Sequence, residues 1–391
     1  MPIVYDKAGV VIRCGDALAE LKLMPDQDCH CCVTSPPYWN LRDYGTGEWQ
    51  GGSDPDCDHI KNGEKQSQWA REGHGLAGTP QDSAAVVAKY GYRDECGKCG
   101  AVRIDQQLGL EKTPEEYVAK IVEVFREVRR VLRDDGTLWL NLGDGYAGSW
   151  GNYGGQNRGH GKQRTITNGS SALNHAYDGL ESFRPATASV DGLKPKDLIG
   201  MPWRVAFALQ ADGWWLRNEI IWHKANCMPE SVTDRCTRDH EHVFMLAKSH
   251  RYYFDQESVK VPLADANAQR TTDTYDTSGR GPRDGGNRGL DGLAARMRSG
   301  EHTGRNLRTV WSIPTASYSA AHFATFPPKL CEPCILAGCP EGGVVLDPFG
   351  GSGTVAAVAK ALGRKSIMIE LNPDYIPLIR RRIKQHVLNF S

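Results

Sequence analysis

The stretch near the C-terminus constrains this chain most. Val344-Val345-Leu346-Asp347 has the pattern of a short buried strand, Pro348-Phe349-Gly350-Gly351-Ser352-Gly353 is a glycine-rich turn, and Thr354 opens a helical run through Ala356, Val358, Ala359 and Leu362. Glycines let a ligand approach the backbone closely at the carboxyl end of a strand, where open α/β sheets bind small molecules. Glu370 ends the next apolar run, 23 residues after Asp347, and is placed to accept hydrogen bonds from ribose hydroxyls. An adenosine-type ligand is therefore expected. The turn lacks the lysine of a phosphate-binding loop, which disfavours triphosphate hydrolysis. Only 21 residues follow Glu370, too few for the remaining strands of a nucleotide-binding sheet. Upstream strands must complete it, and residues 11 to 45 are expected to lie beside the turn.

The rest of the chain supplies them. Thr113-Pro114-Glu115-Glu116 is a capping box with proline at the first helical position, followed by Tyr117, Val118, Ile121, Val124, Phe125, Val128 and Leu132 at helical spacing. That helix should end near Asp135-Gly136, and the apolar run 137 to 142 reads as a buried strand. Residues 30 to 34, 218 to 222, 242 to 247, 343 to 346 and 366 to 369 are further strand candidates, and 328 to 338 a helix. A mostly parallel α/β sheet follows. With 391 residues, 40% apolar and 24% charged, one large or two moderate domains are expected.

Two stretches do not fit a sheet: 147 to 192, rich in Gly, Asn and Ser, and 264 to 308, rich in Arg, Gly and Asp. The first holds Arg158, Lys162 and Arg164 with no acidic residue between Ala147 and Tyr177; the second carries, from Arg270 to Arg308, eight arginines against five acidic residues. Such loops suit phosphate backbones and base edges, and equally a solvated surface. Forty-seven basic residues balance 47 acidic ones, so any polyanion-binding surface must be local. No apolar run approaches the roughly 20 residues of a membrane span, and the N-terminus lacks a signal-peptide plan. A soluble, cytoplasmic protein with no membrane partner is the expectation. Twelve cysteines are too dilute for a disulfide scaffold.

The strand ending at Val33 runs straight into Thr34-Ser35-Pro36-Pro37-Tyr38-Trp39. Two prolines stop the sheet ladder and hold the backbone extended, leaving a hydroxyl and two aromatic rings at the strand end. Ser35 Oγ and the Pro36 carbonyl could accept from the amine of a planar ring while Tyr38 stacks on its face. A proline-terminated strand with core aromatics is the plainer alternative.

Taken with the glycine turn, the sequence resembles the amino DNA methyltransferases, which methylate cytosine N4 or adenine N6, in the permuted arrangement where the catalytic tetrapeptide comes first. Ser35-Pro36-Pro37-Tyr38 matches the catalytic motif and Asp347-Pro348-Phe349-Gly350-Gly351-Ser352-Gly353-Thr354 the S-adenosylmethionine loop. Glu370 matches the ribose-binding acid, His322-Phe323-Ala324-Thr325-Phe326-Pro327 the element over the methionine end, and Asp16, in Gly15-Asp16-Ala17-Leu18, the acid that approaches adenine. Leu140-Asn141-Leu142-Gly143-Asp144 and Ile221-Trp222-His223-Lys224 resemble other family strands, the latter with its aromatic near the base.

The resemblance implies a Rossmann-like, circularly permuted methyltransferase core. It would comprise a catalytic half at 1 to 50, core elements at 108 to 146 and 193 to 262, and a cofactor half at 311 to 391. Insertions fall at 51 to 107, 147 to 192 and, as a target-recognition segment, 263 to 310. It further implies direct methyl transfer from S-adenosylmethionine to the amine of a base rotated out of double-stranded DNA, in a prokaryotic or phage-infected cell, with a companion restriction endonuclease. Ser35 in place of aspartate resembles the cytosine-N4 members; adenine N6 is the alternative. Carbon-5 methylation would need a Pro-Cys-Gln nucleophile, and Pro333-Cys334 is followed by Ile335. A nicotinamide oxidoreductase could share the turn and Glu370 but has no need of Ser-Pro-Pro-Tyr.

Cys57-Asp58-His59 and Cys96-Gly97-Lys98-Cys99 supply four soft or borderline ligands, the second pair in a CxxC-Gly turn suited to zinc. A structural zinc on Cys57, His59, Cys96 and Cys99 would hold together the 36 residues between the pairs, which have little core-forming capacity. The alternatives are a redox CxxC, four unrelated residues, or a non-catalytic zinc-dependent DNA-binding module. Cys331, Cys334 and Cys339 are expected to serve helix packing.

Overall fold

The computed structural model describes residues 3–39, 46–59, 95–147, 192–262, 304–316 and 327–384. Most of the two basic loops, together with His322 and Phe326, lies outside the described residues.

Eleven strands are formed among these residues: β1 (Ile3–Lys7), β2 (Val10–Cys14), β3 (Cys29–Thr34), β4 (Glu48–Gln50), β5 (Val102–Ile104), β6 (Leu132–Leu142), β7 (Trp215–His223), β8 (His240–Ala247), β9 (Val310–Ser312), β10 (Val344–Asp347) and β11 (Lys365–Glu370). The helices are α1 (Ala17–Lys22), α2 (Pro114–Val131), α3 (Met201–Ala211), α4 (Pro328–Gly338), α5 (Thr354–Ala361) and α6 (Ile376–Lys384). Nine strands form one sheet in the order β1-β2-β11-β10-β3-β6-β8-β7-β9; β4 and β5 make a separate antiparallel hairpin. From β2 to β6 all neighbours are parallel, while β8 runs antiparallel to both β6 and β7.

The chain leaves β10 through α5 to β11 on one side, and leaves β3 through α2 to β6 on the other. The order therefore reverses between β10 and β3, which opens a crevice outside their carboxyl ends. The two strands pair at Val345 with Cys31 and Leu346 with Cys32. As the sequence implies, the far ends of the chain meet there.

Both faces of the sheet are covered, which is why the central strands read as nearly continuous apolar runs. Leu138, Leu140, Leu142, Cys32 and Leu346 face a core with Tyr117, Ile121, Phe125 and Val128 of α2 and Val205 and Leu209 of α3. The alternate residues Cys31, Val33, Trp139 and Val345 face a second core with Leu330, Cys331, Cys334 and Ile335 of α4 and Val355 and Val358 of α5. The cysteines of α4 thus serve packing, and all twelve cysteines are free thiols. The Thr113 hydroxyl caps α2 by accepting from Glu116 N at 3.2 Å.

The structure corrects the end of α2. It stops at Val131 rather than near Gly136, because Leu132 already pairs with Cys29, and the register then jumps so that Thr137 opposes Cys31. Residues 133 to 136 form a bulge within β6, and a Cβ on Gly136 would sit 2.9 Å from the Arg133 carbonyl. The β1–β2 hairpin was not anticipated. Its turn is marked by Ala8 and Gly9, with φ of 54° and 78°, and β2 extends the parallel sheet along β11.

Where β3 ends, the buried Thr34 hydroxyl donates to Asp347 Oδ1 at 2.7 Å. Thr34→Val removes this donor while preserving shape. It should lower unfolding free energy by about 1–3 kcal/mol, because a buried carboxylate loses a partner; an unchanged urea midpoint would contradict that.

Candidate active site

Thr34 immediately precedes Ser35, and Asp347 opens the glycine turn, so their hydrogen bond places the two motifs on adjacent strands at one edge of the sheet. Asp347 Oδ1 also accepts the Phe349 N–H at 3.1 Å. Burial pushes this carboxyl up to about 6, against the hydrogen bonds from Thr34 and Phe349. Glu370 lies at the end of the neighbouring strand; its Oε2 accepts Gly351 N–H at 2.7 Å and its Oε1 accepts Asn372 N–H at 2.8 Å. Burial outweighs those two donors and holds Glu370 up at about 7.

The turn itself is pinned from below. Arg382 of α6 donates to Ser352 Oγ at 2.6 Å, Ser352 and Thr354 hydroxyls lie 3.3 Å apart, and Gly350 N–H donates to the Ile369 carbonyl at 2.7 Å. A Cβ on Gly350 would stand 2.7 Å from Met368 Cε, and Gly353, at φ 80°, would meet Ile379 at 2.9 Å. The glycines thus let the turn pack tightly on β11 and α6. Gly15 N–H donates to the Glu370 carbonyl at 2.9 Å, which brings Asp16 beside this acid; the Asp16 carboxylate caps α1 through Ala19 N–H. Phe349 packs against the first core and Pro327 is the N-cap of α4.

On the other side of the crevice Ser35 is partly exposed and Pro36 buried. The Pro37 carbonyl accepts from the Tyr117 hydroxyl at 2.9 Å. Ser35 Oγ donates to the Tyr38 hydroxyl at 3.3 Å, and that hydroxyl donates to Glu241 Oε2 at 2.7 Å. Asn141 Nδ2 donates into the same chain, to Tyr38 at 2.7 Å, to Glu241 at 2.8 Å and, more distantly, to Ser35 Oγ at 3.4 Å. Lys224 Nζ donates to Glu241 Oε1 at 2.5 Å. Desolvation, then the Glu241 charge, holds the Tyr38 hydroxyl well above the usual phenol range, so it remains a donor. Asn141 Oδ1 is buried without a partner among the described residues and borders a small cavity lined by Val33, Trp139, Val243, Cys331 and Cys334.

Glu241 escaped the sequence reading. Its signal is faint: a lone acid in His240-Glu241-His242, brought beside Tyr38 only by strand pairing of Trp222 with Glu241. Trp222 corrects another expectation. It is 4% exposed in the second core, its indole donates to the Ile313 carbonyl at 2.8 Å, and its ring is packing material rather than a free stacking surface. The Trp39 indole donates to the Glu111 carbonyl at 3.0 Å. Cys57, His59, Cys96 and Cys99 do come together, their ligand atoms all within 4.8 Å of one another.

A family model described as DNA methylase, of the N6/N4 type, matches residues 29–381. The chain belongs to the N6/N4 DNA methylase family. It is 38% identical over 376 residues to the Type II methyltransferase M.Cfr9I of Citrobacter freundii, covering 96% of this chain and 88% of that one. It is 36% identical over 372 residues to the Type II methyltransferase M.SmaI of Serratia marcescens, covering 94% and 89%. The solved structure of the PvuII DNA methyltransferase, described as cytosine-N4-specific, superposes with a TM-score of 0.52 at 15% identity, covering all of this chain and 90% of that one. That likeness shows the shared fold.

In this DNA methylase the crevice thus joins a glycine turn with two raised carboxyls to a serine-phenol-carboxylate chain. The raised carboxyls have a consequence for stability. Asp347 holds its proton longer folded, at about 6, than at its ordinary 3.8, so the folded state loses stability as pH rises through that window. Asp347→Asn retains the Oδ1 acceptor without the buried charge. Its stability relative to the parent should therefore improve by up to about 3 kcal/mol between about pH 4 and pH 7. Paired urea titrations check this; a pH-independent difference would refute it.

Proposed function

We propose that the chain transfers a methyl group from S-adenosyl-L-methionine to the exocyclic amine of a base rotated out of double-stranded DNA, with cytosine N4 as the acceptor. The observation that carries this is the Thr34–Asp347 junction, which sets Ser35-Pro36-Pro37-Tyr38 against the Asp347–Thr354 turn. Similarity over most of the chain to two Type II methyltransferases supports DNA as the substrate, and a restriction–modification setting with a companion endonuclease.

The donor set of the turn suits the cofactor. Glu370, at the strand end, accepts ribose hydroxyls, Asp16 faces the adenine side, and Phe349, Gly350, Gly351, Ser352, Gly353 and Thr354 shape the turn; Pro327 is assigned to the methionine end by family resemblance. His322 and Phe326, assigned to the methionine end by family resemblance, lie outside the described residues. S-adenosylmethionine supplies an electrophilic sulfonium methyl.

Ser35 and the Pro36 carbonyl handle the acceptor. The amine lone pair is delocalised into the base, so the site must localise it rather than deprotonate it beforehand. Because the Ser35 proton is directed to Tyr38, and the Tyr38 proton to Glu241, while Asn141 Nδ2 donates to one Ser35 lone pair at 3.4 Å, the other lone pair is left to accept an amine N–H. With the Pro36 carbonyl taking the second N–H, the nitrogen is drawn toward its pyramidal form and held in line for attack. As the new N–C bond formed and the sulfonium S–CH3 bond broke, leaving a neutral thioether, the positive charge passed to the amine would be offset along the hydrogen-bond chain, and the surplus amine proton would be released to solvent. No covalent enzyme intermediate is needed. Serine at position 35 favours cytosine N4, by resemblance to that branch of the family.

Incubating unmethylated DNA with the protein and methyl-labelled cofactor, then identifying modified nucleosides by mass spectrometry, tests the reaction. N4-methylcytosine is expected; N6-methyladenine alone overturns the choice of base, and no transfer overturns the reaction. Ser35→Ala should lower turnover about 100-fold or more while cofactor binding is retained.

Glu241 is a positioning residue, acting through Tyr38. Glu241→Gln should lower kcat about 10- to 100-fold with an unchanged cofactor Kd, because a neutral amide no longer directs the phenol proton. Equal loss of cofactor affinity would mean a general structural role instead.

A further inference from the structure

The β4–β5 hairpin carries a side-chain cluster that methyl transfer does not use. Cys57 Sγ lies 3.7 Å from Cys96 Sγ, and Cys99 Sγ lies 3.6 Å from His59 Nδ1. A zinc ion with Zn–S near 2.3 Å and Zn–N near 2.0–2.1 Å gives a tetrahedron whose S···S edge is about 3.8 Å and S···N edge about 3.6 Å. Both observed edges agree. A disulfide would draw two sulfurs to about 2.05 Å and leave the other two groups without a purpose.

The surroundings are built for thiolates. The backbone N–H groups of Lys98 and Cys99 point at Cys96 Sγ, and that of His59 at Cys57 Sγ. Gly100, at φ 74°, closes the knuckle: its N–H donates to the Cys96 carbonyl and Cys96 N–H to the Ala101 carbonyl, both at 2.8 Å. Trp49 stacks on the His59 ring with centroids 4.5 Å apart, which fixes the imidazole plane. Lys98 and Asp58 pair at 2.7 Å across the two ligand segments.

We propose that Cys57, His59, Cys96 and Cys99 bind one zinc ion, and that this clip orders a strap which braces Tyr38 and Trp39. The ladder of the hairpin is three residues long on each strand, and a hairpin of that size is marginal alone. Beyond β5, Asp105 accepts from the Thr46 hydroxyl at 2.9 Å and from Gln107 N–H at 3.0 Å. Gly109 then packs against the Tyr38 carbonyl, where a Cβ would come within 2.8 Å, and the Glu111 carbonyl takes the Trp39 indole. The metal, the hairpin and the 105–111 strap form one continuous support. Three thiolates and an imidazole in a tetrahedron select zinc over harder cations. The metal assignment stands apart from the catalytic reading; only the bracing role touches the Ser-Pro-Pro-Tyr segment.

The full chain, purified without chelator, should contain about one zinc per molecule, and cobalt(II) in its place should give the intense visible absorption of a tetrahedral thiolate site. Cys96→Ser should lose the metal, whereas Cys236→Ser, at an exposed cysteine elsewhere, should keep it. Removing zinc should speed tryptic cleavage at Lys98, Arg103 or Lys112 about tenfold or more, without moving cleavage in the sheet. Folded parent protein with under about 0.2 zinc per chain, a Cys57–Cys96 disulfide in its peptide map, or full metal content in Cys96→Ser would overturn the site. Unaltered cleavage after metal loss would overturn the bracing role. If Cys96→Ser does not fold, stoichiometry and the cobalt spectrum of the parent decide. None of these readouts depends on methyl transfer.

Discussion

The bond between Thr34 and Asp347 is the constraint on which the rest depends. It joins residues 313 apart in sequence, across a strand pair with two registered residue pairs, at the point where the order of the sheet reverses. Loop-closure entropy rises only with the logarithm of loop length, so seating the last strands beside the first costs little more than seating near neighbours. What matters to the crevice is adjacency in the sheet, and the permuted order leaves that intact. Both crossovers diverge from this seam, which leaves strand ends free of overlying helix and exposes the turn and the Ser-Pro-Pro-Tyr segment together.

The same constraint explains where polar groups sit. Strand interiors are apolar on both faces, so every functional side chain is displaced to the carboxyl edge: Thr34 on β3, Asn141 on β6, Asp347 on β10, Glu370 on β11. Two carboxyls are buried there with backbone or hydroxyl donors and, among the described residues, no cation pair, and both are pushed up, to about 6 and about 7. The fold bears that cost at neutral pH. On the proposed reading, hydroxyl donors from a bound ribose would relieve part of it at Glu370, so that a site costly when empty would become favourable when filled.

Much of this was legible in the sequence, for physical reasons. The central strands stood out because double-sided burial demands unbroken apolar runs, and α2 because its stripe and capping box agree. The two motifs were visible because glycine and proline leave strong backbone signatures. What escaped was either locally weak or set by long-range pairing. The first strand is largely exposed, and the bulge at 133 to 136 mimics a helix C-cap, with Gly136 serving the bulge instead. Glu241 carries only a faint local mark, a lone acid between two histidines; its role exists because β8 pairs with β7 and β6. Trp222 misled for the converse reason, since an aromatic at a strand end looks free until its indole finds the Ile313 carbonyl.

The polarity of the serine chain follows from burial rather than from the serine itself. A lone hydroxyl rotates and can present either its proton or its lone pairs to a substrate amine. Tyr38 removes that choice, because desolvation and the Glu241 charge keep the phenol protonated, and its proton then has one anionic acceptor at 2.7 Å. The phenol oxygen is left as an acceptor, shared by Ser35 and Asn141. Ser35 then points its proton inward, takes Asn141 Nδ2 on one lone pair at 3.4 Å and keeps the other for the crevice. Lys224 supplies the counter-charge that lets the Glu241 carboxylate sit this close to the crevice. The orientation of one hydroxyl at residue 35 is thus set by a carboxylate over two hundred residues away.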